Sequence, residues 1–363
     1  MRGPLAVCLL AVLLAPSAFA AADGAGAATA GGSIEPFILT HSEMFPAEHP
    51  FGQLAAAWAA EVERASGGLV KIDIAFGGSL TSPQECIDGV LQGTSDLCHT
   101  ALAYTPHRFP VMEAADLPGY SSLGNTARLT TAVANELYRT FQPDEFAGMR
   151  VLYLHAHPPG AFTSVSEPID RIADFAGLRI RSTGLSAQIA AILGAEPVLL
   201  PATQTYELLR TGQVDMTMST LESLKYNRFA DAAGYTTIAP ELGYVTTFAL
   251  VIRREVWDGL PAEVQEAIAS VSALFDERAA ALWDRISLEG YQYALEQGHE
   301  FVTLPPSEVR EWSRAVQRAV ERAYVERLEP LGIDGWEVLA RRWAEIAAHL
   351  GEFPPLDLDP TYP

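Results

Sequence analysis

One phrase occurs twice in the chain. Leu91-Gln-Gly93-Thr-Ser-Asp96-Leu97 and Leu209-Arg-Thr-Gly212-Gln-Val-Asp215-Met216 each break an apolar helix at glycine, and an aspartate three residues later opens a strand. Glycine stops a helix because it alone adopts the left-handed backbone without strain. Each phrase is preceded by its own strand, Val70–Phe76 in the first case and Leu178–Arg181 in the second. Strand, helix and strand in that order require parallel pairing in an open α/β sheet. Two such units predict two similar α/β lobes, with ligands collecting at the carboxyl ends of the strands.

The second unit carries the sharper chemical signal. In Gly177-Leu-Arg-Ile-Arg-Ser-Thr-Gly184, alternation puts Leu178 and Ile180 on one strand face and Arg179 and Arg181 on the other. Arg181 closes the strand, and Ser182, Thr183 and a helix over about 185–193 follow it. A guanidinium, two hydroxyls and the free N–H groups of a helix start make an anion site. The competing reading is a surface strand end with two solvated arginines.

The rest of the chain fits around these units. Strands are expected at 34–41, 69–76, 97–102 and 149–155, and helices at 51–65 and about 125–141. Ser82-Pro83-Gln84-Glu85 has the form of a capping box that starts a helix ending at Gly93. Tyr244–Arg253 is a long β-rich run. One extended segment enters the second unit and another leaves it, as a hinged cleft requires. Helical tracts follow from Leu260-Pro261 to about Gln297, from Pro305-Pro306 to Leu328, and from Trp336 to Leu350.

At 363 residues the chain exceeds the usual size of a single core. The first residues stand apart. Arg2, an apolar run Leu5–Leu14 and the exit Pro16-Ser-Ala-Phe-Ala20 read as an export signal covering 1–22, with a flexible leader at 23–33. The expected lobes are 34–155 with 245–285, and 156–244 with 286–363. Export leaves Cys86 and Cys98 in an oxidising compartment, where they form either a disulfide or two separately buried thiols. A formal charge of −21 disfavours nucleic acid and anionic membranes as partners, and it obliges any anionic ligand to be held by a local positive site.

In their order, several segments resemble the substrate-binding proteins of tripartite ATP-independent periplasmic (TRAP) transporters. They are the loop His41–Pro50, helix Phe51–Ala65 with Gly67-Gly-Leu-Val-Lys-Ile, Gly93-Thr-Ser-Asp96, Leu117-Pro118, Phe175-Ala-Gly-Leu-Arg-Ile-Arg181, Gly194-Ala-Glu-Pro-Val198 and Tyr206–Asp215. The resemblance implies a two-lobed periplasmic-binding-protein-like α/β fold, each lobe a sheet flanked by helices, with the ligand in the cleft and long C-terminal helices. It implies capture of a small organic acid, delivery to TRAP membrane permease subunits, a periplasmic location, and a salt bridge from Arg181 to the ligand carboxylate. Two departures stand out. Ser219 occupies a place where relatives often carry asparagine, and His155-Ala-His157-Pro-Pro-Gly160 lacks the second arginine some relatives have.

The candidate ligand-binding residues are therefore Arg181, Ser182, Thr183, His155, His157, Met218, Ser219, Thr220, Tyr104, Tyr244 and Phe248. His155-x-His157 reads as a metal pair, as cleft-lining hydrogen-bond donors or as packed core; without clustered Cys, Asp or Glu no metal is expected. Asp96 and Asp215 sit at helix-to-strand junctions, where capping or turn roles outweigh acid–base chemistry. No nucleophile motif, zinc motif or phosphate loop is present, so neither an enzyme nor a cofactor is expected. Tyr104, Tyr244, Phe248 and Met218 with a single arginine favour a monocarboxylate with an apolar or hydroxylated body over a diacid. The expected protein is a monomer that binds a small acid for transport, with a ligand-presenting sensor as the alternative.

Overall fold

The chain builds two sheets and exchanges one strand in each direction between them. The computed structural model describes residues 35–120, 127–200 and 202–349, with no side chain described at 203. The expected export signal, leader and C-terminal tail lie outside the described residues. The first run comprises β1 (Phe37–Glu43), α1 (Pro50–Ala65), β2 (Val70–Ala75), α2 (Cys86–Gln92), β3 (Leu97–Ala101), the short α3 (Glu113–Asp116), α4 (Ala127–Phe141) and β4 (Met149–Ala156). The second comprises β5 (Ala161–Ser164), β6 (Arg179–Ser182), α5 (Gly184–Ile192), β7 (Glu196–Leu199), α6 (Thr205–Arg210), β8 (Met216–Ser219), α7 (Ser223–Tyr226) and β9 (Tyr235–Ile238). The chain ends through β10 (Thr247–Arg253), α8 (Arg254–Gly259), α9 (Ala262–Ser272), α10 (Phe275–Glu296), β11 (Glu300–Thr303), α11 (Pro306–Leu328) and α12 (Gly335–Ala348).

The first sheet has the order β2-β1-β3-β10-β4 and the second β11-β9-β5-β8-β6-β7. Parallel pairs join β1 to β2 and β3, and β6 to β7 and β8. Within each sheet one strand runs against its neighbours: β10 between β3 and β4, and β5 between β8 and β9. These are the strands that arrive directly from the other lobe.

The repeated sequence phrase does the same work in both lobes. Gly93 and Gly212 take positive φ values of 80° and 66° and end α2 and α6. Asp96 Oδ2 then accepts the backbone N–H of Thr40 at 2.8 Å, and Asp215 Oδ2 accepts that of Arg179 at 2.9 Å. Each aspartate thus ties the start of its strand to the neighbouring parallel strand, and each also meets an arginine, Arg253 or Arg179. This is the turn role expected for both.

Two sequence expectations are corrected. Ser82 Oγ donates to the Glu85 carboxylate at 2.6 Å rather than to a backbone group, and the helix starts at Cys86 instead of Pro83. The tract from Leu260 to Gln297 is two helices, broken at Ala273-Leu274, where α9 packs on α1 and α10 turns away toward α7. The C-terminal α12 packs on α11 and also reaches α4 and α3 of the first lobe. The tie is polar as well as apolar. The buried Arg342 lies over the Tyr120 ring and donates to the carbonyls of Leu117 and Pro118, and Arg341 pairs with Glu136.

The two crossing segments, 157–160 and 239–246, run side by side. Gly160 N donates to Tyr244 O at 2.9 Å. A Cβ on Gly243 would lie 2.6 Å from Gly160 O, and one on Gly160 would lie 2.7 Å from the Tyr244 ring. Gly243 lets the two backbones touch, and Gly160 leaves room for the Tyr244 ring. Asp116 braces the second segment: its carbonyl accepts Val245 N–H, and Oδ1 accepts both the N–H and the hydroxyl of Thr247. Burial raises the Asp116 pKa to about 8, against the opposing pull of the Thr247 hydrogen bonds.

Cys86 on α2 and Cys98 on β3 form a disulfide, with Cα atoms 5.7 Å apart. It closes a loop of sequence separation 12, which by chain entropy restricts the unfolded chain by roughly 3 kcal/mol. Cys86→Ser with Cys98→Ser is expected to lower unfolding stability by about that much in denaturant titrations, with the fold retained. A double variant as stable as the wild type would contradict this.

The folded Asp116 pKa lies above the ordinary carboxyl value, so its contribution to stability is complete below about pH 4 and disappears as pH rises through about 8. Urea midpoints should therefore fall between pH 5 and pH 9, and Asp116→Asn, which keeps an acceptor toward Thr247, should fall by less. Equal slopes for both proteins would contradict this role.

Candidate functional site

A cavity of about 100 Å³ lies between the sheets, where the carboxyl ends of β6 and β8 meet the crossing segments. It is several times the space that a single water takes. Its walls bring together Arg181, Thr183, Ser219, Thr220, Tyr104, His157, Tyr244 and Phe248 from the expected set. An adjoining cavity of about 520 Å³ shares Met44, Phe45, His49, Tyr104, Asn227 and Phe229 with it and extends to Gln84, Tyr206 and Tyr226.

Arg181 dominates the site. It is 3% exposed, and its Nε donates to Leu200 O at 2.8 Å, which fixes the plane of the guanidinium. Among the described residues it makes no ion pair, and burial lowers its pKa. Arg179 is its opposite. Two residues earlier on the same strand face, it is half exposed and bonded to Asp215 through Nε at 3.0 Å and Nη2 at 2.6 Å. The same strand thus carries one arginine serving the fold and one with no internal counter-charge.

Three expected residues point elsewhere. Ser182 alternates away from Arg181, is fully buried beside Ile180, and donates to the Ile180 carbonyl. Met218 alternates away from Ser219 into the core, and only its carbonyl approaches the site, accepting the Tyr244 hydroxyl at 3.3 Å. His155 and His157, read together in the sequence as a pair, are separated because β4 ends at Ala156 and the chain turns through Pro158. His157 therefore lines the cavity while His155 lies behind it.

His155 belongs to a buried chain of hydrogen bonds whose directions follow from its ends. Trp283 Nε1–H must donate, so His155 Nδ1 accepts at 2.9 Å and its Nε2 carries the proton. That proton is donated to His99 Nε2 at 2.9 Å, which leaves His99 Nδ1–H donating to Glu43 Oε2 at 2.8 Å. Burial holds the His155 pKa well below its ordinary value, consistent with a neutral ring. The chain fixes the Trp283 indole, and the Phe248 ring stacks on His155 with centroids 4.9 Å apart.

Trp283, Phe248 and Phe45 form the aromatic side of the cavity, with centroids 5.5 to 6.4 Å apart. The polar side holds Arg181, Ser219, Thr220 and Glu222. His49 and His157 are held neutral by burial, each lowered to about 4, so Arg181 is the one permanent cation among the described lining residues. Phe45, Trp283, His49 and Glu222 were missed in the sequence. Phe45 lies in a loop and Trp283 in a helix whose path to the cleft follows only from the break at 273–274. No group of three or more His, Cys, Asp or Glu that could hold a metal ion occurs among the described residues. No helix among them is long and apolar enough to cross a membrane.

The comparisons agree with this architecture. The family model for bacterial extracellular solute-binding proteins, family 7, matches residues 41–327. A solute-binding protein of Albidiferax ferrireducens is 27% identical over 281 residues, covering 75% of this chain and 80% of that protein. The C4-dicarboxylate-binding periplasmic protein DctP of Rhodobacter capsulatus is 25% identical over 249 residues, covering 66% and 72%. Among solved structures, a TRAP solute-binding protein of Rhodoferax ferrireducens in complex with copurified benzoate superposes with a TM-score of 0.79 at 26% identity, over 86% of this chain and 98% of that one. A TRAP periplasmic solute-binding protein of Bordetella bronchiseptica with bound (R)- and (S)-mandelate gives 0.78 at 30% identity, over 86% and 99%. With the two lobes, the interlobe cavity and the matched residues in agreement, the chain belongs to the bacterial extracellular solute-binding proteins of family 7, as its sequence resemblance to the TRAP substrate-binding proteins implied.

Proposed function

We propose that this chain captures a small monocarboxylate with an aromatic or apolar body between its lobes, in the periplasm, and hands it unchanged to a TRAP-type membrane permease. The observation that carries this is Arg181, a buried guanidinium with no ion pair among the described residues, whose Nε is already engaged by Leu200 O. Its remaining N–H groups match a carboxylate, for which arginine supplies two parallel hydrogen bonds and lysine does not. The aromatic side formed by Phe45, Phe248 and Trp283 fits the body of such an acid. A single permanent cation favours a monoacid, in contrast to the C4-dicarboxylate of the Rhodobacter relative. The benzoate and mandelate held by two solved relatives have this chemistry. Export would rest on the apolar segment at the N-terminus, and monomeric action on the interlobe site being complete within one chain.

Benzoate and mandelate are the first ligands to titrate calorimetrically, with succinate as the diacid control. Truncating one partner of a buried charge pair costs ~2–5 kcal/mol, so Arg181→Lys should weaken binding roughly 30-fold or more. Arg179→Lys, whose partner is Asp215, should bind within about threefold of the wild type. Wild-type affinity in Arg181→Lys would place the anchor elsewhere, and His157 is then the next candidate. Recovery of a chemically altered acid after incubation would show turnover and contradict simple capture.

A further inference from the structure

The cavity holds an acidic side chain that anchoring a carboxylate does not use. Glu222 lies three residues beyond the end of β8, is 5% exposed, and lines the cavity. Ser223 Oγ donates to its Oε1 at 2.9 Å. Its Oε2 is buried and has no hydrogen-bond partner.

Two structural explanations fail for this oxygen. Glu222 precedes α7, and the Thr220 hydroxyl and the backbone N–H groups of Glu222 and Ser223 lie near its carboxylate, but none makes a bond of regular geometry to Oε2 or caps the helix. Among the described residues it also makes no ion pair. The position itself is tightly fixed. A Cβ on Gly290 of α10 would lie 2.1 Å from Leu221 O and 2.7 Å from Glu222 Cα, so the helix rests directly on this turn. Ser219, on the same wall, repeats the pattern: its Oγ is buried, unpartnered and part of the lining. Buried acceptors in native proteins nearly always have partners, because an unmet one keeps its full desolvation cost.

Resting on the reading of Arg181 as carboxylate anchor, we infer that Glu222 and Ser219 form a second recognition point, one that accepts a hydrogen bond from a hydroxyl on the ligand. The transported molecule is then a hydroxylated monocarboxylate, with its carboxylate on Arg181, its apolar body against Phe248 and Trp283, and its hydroxyl on Glu222. His157 faces the same space. Its Nδ1 donates to Pro158 O at 2.6 Å, which leaves Nε2 as a further acceptor. A deoxy acid of the same shape leaves the Glu222 oxygen unmet, and sites built around a substrate hydroxyl discriminate strongly against analogues that lack it.

Matched acids test this in calorimetry: mandelate, phenylglycine and phenylacetate as hydroxyl, ammonium and deoxy forms of one skeleton, and 3-hydroxybenzoate against benzoate. The wild type is expected to bind at least one hydroxylated member about tenfold or more tighter than its deoxy parent. Glu222→Met should reduce that preference, read as the ratio of the two affinities within the variant, to within about threefold, and Ser219→Ala should reduce it less. Equal affinities for hydroxylated and deoxy acids in the wild type overturn the inference even if Glu222→Met does not fold, as does a preference that survives in Glu222→Met. Tighter binding of phenylglycine than of mandelate overturns it in favour of a zwitterionic ligand. Equal binding of both acids that is still lost in Arg181→Lys removes the inference and leaves the parent reading standing; no binding of any acid removes both.

Discussion

Burying a guanidinium without a counter-charge works against folding, and the second lobe is arranged to tolerate it at Arg181. A charge taken out of water costs several kcal/mol unless hydrogen bonds or an opposite charge replace its hydration. Among the described residues one replacement is supplied, the Leu200 carbonyl, and the rest of the guanidinium is left to the cavity. The formal charge of −21 makes this local arrangement necessary: the average field of the protein repels an anion, so recognition rests on one short-range contact with a buried guanidinium. The neutral state of His49 and His157 follows from the same burial and keeps the site's positive charge at a single point.

The topology makes that site responsive to closure. Because β5 and β10 each run straight from one lobe into the sheet of the other, the crossing segments are continuous with both cores. Gly243 lets them touch, and Asp116 holds the second one in place. Motion of one lobe against the other is thereby concentrated into a few backbone torsions beside the cavity, the arrangement expected of hinge closure. Its first-lobe wall is rigid for a different reason: the chain from Glu43 through His99 and His155 to Trp283 leaves each imidazole one proton and one acceptor to share.

Much of this was legible in the sequence because local patterns carried it. The twin helix–Gly–Asp–strand phrases disclosed two α/β units, and their aspartates do identical work. Period-two alternation separated Arg181 from Ile180; by the same alternation Ser182 and Met218 face the core. What stayed illegible depends on contacts distant in sequence. The break at Ala273-Leu274 has no proline or glycine to announce it, yet it sends α10 across to place Trp283 in the cavity and Gly290 against Glu222. The docking of α12 on the first lobe hangs on Arg342 reaching Leu117 and Pro118, more than 200 residues away. The 86–98 disulfide was open to two readings because spacing alone does not set the Cβ directions.

The central claim is that a ligand carboxylate completes the coordination of Arg181. A crystal structure of the protein grown with benzoate or mandelate tests it most directly. The account predicts the carboxylate lying in the guanidinium plane, with both oxygens about 2.7–2.9 Å from its nitrogens and the Nε–Leu200 hydrogen bond retained. A carboxylate seated elsewhere in the cavity, or a closed form in which a protein carboxylate takes Arg181, would contradict it.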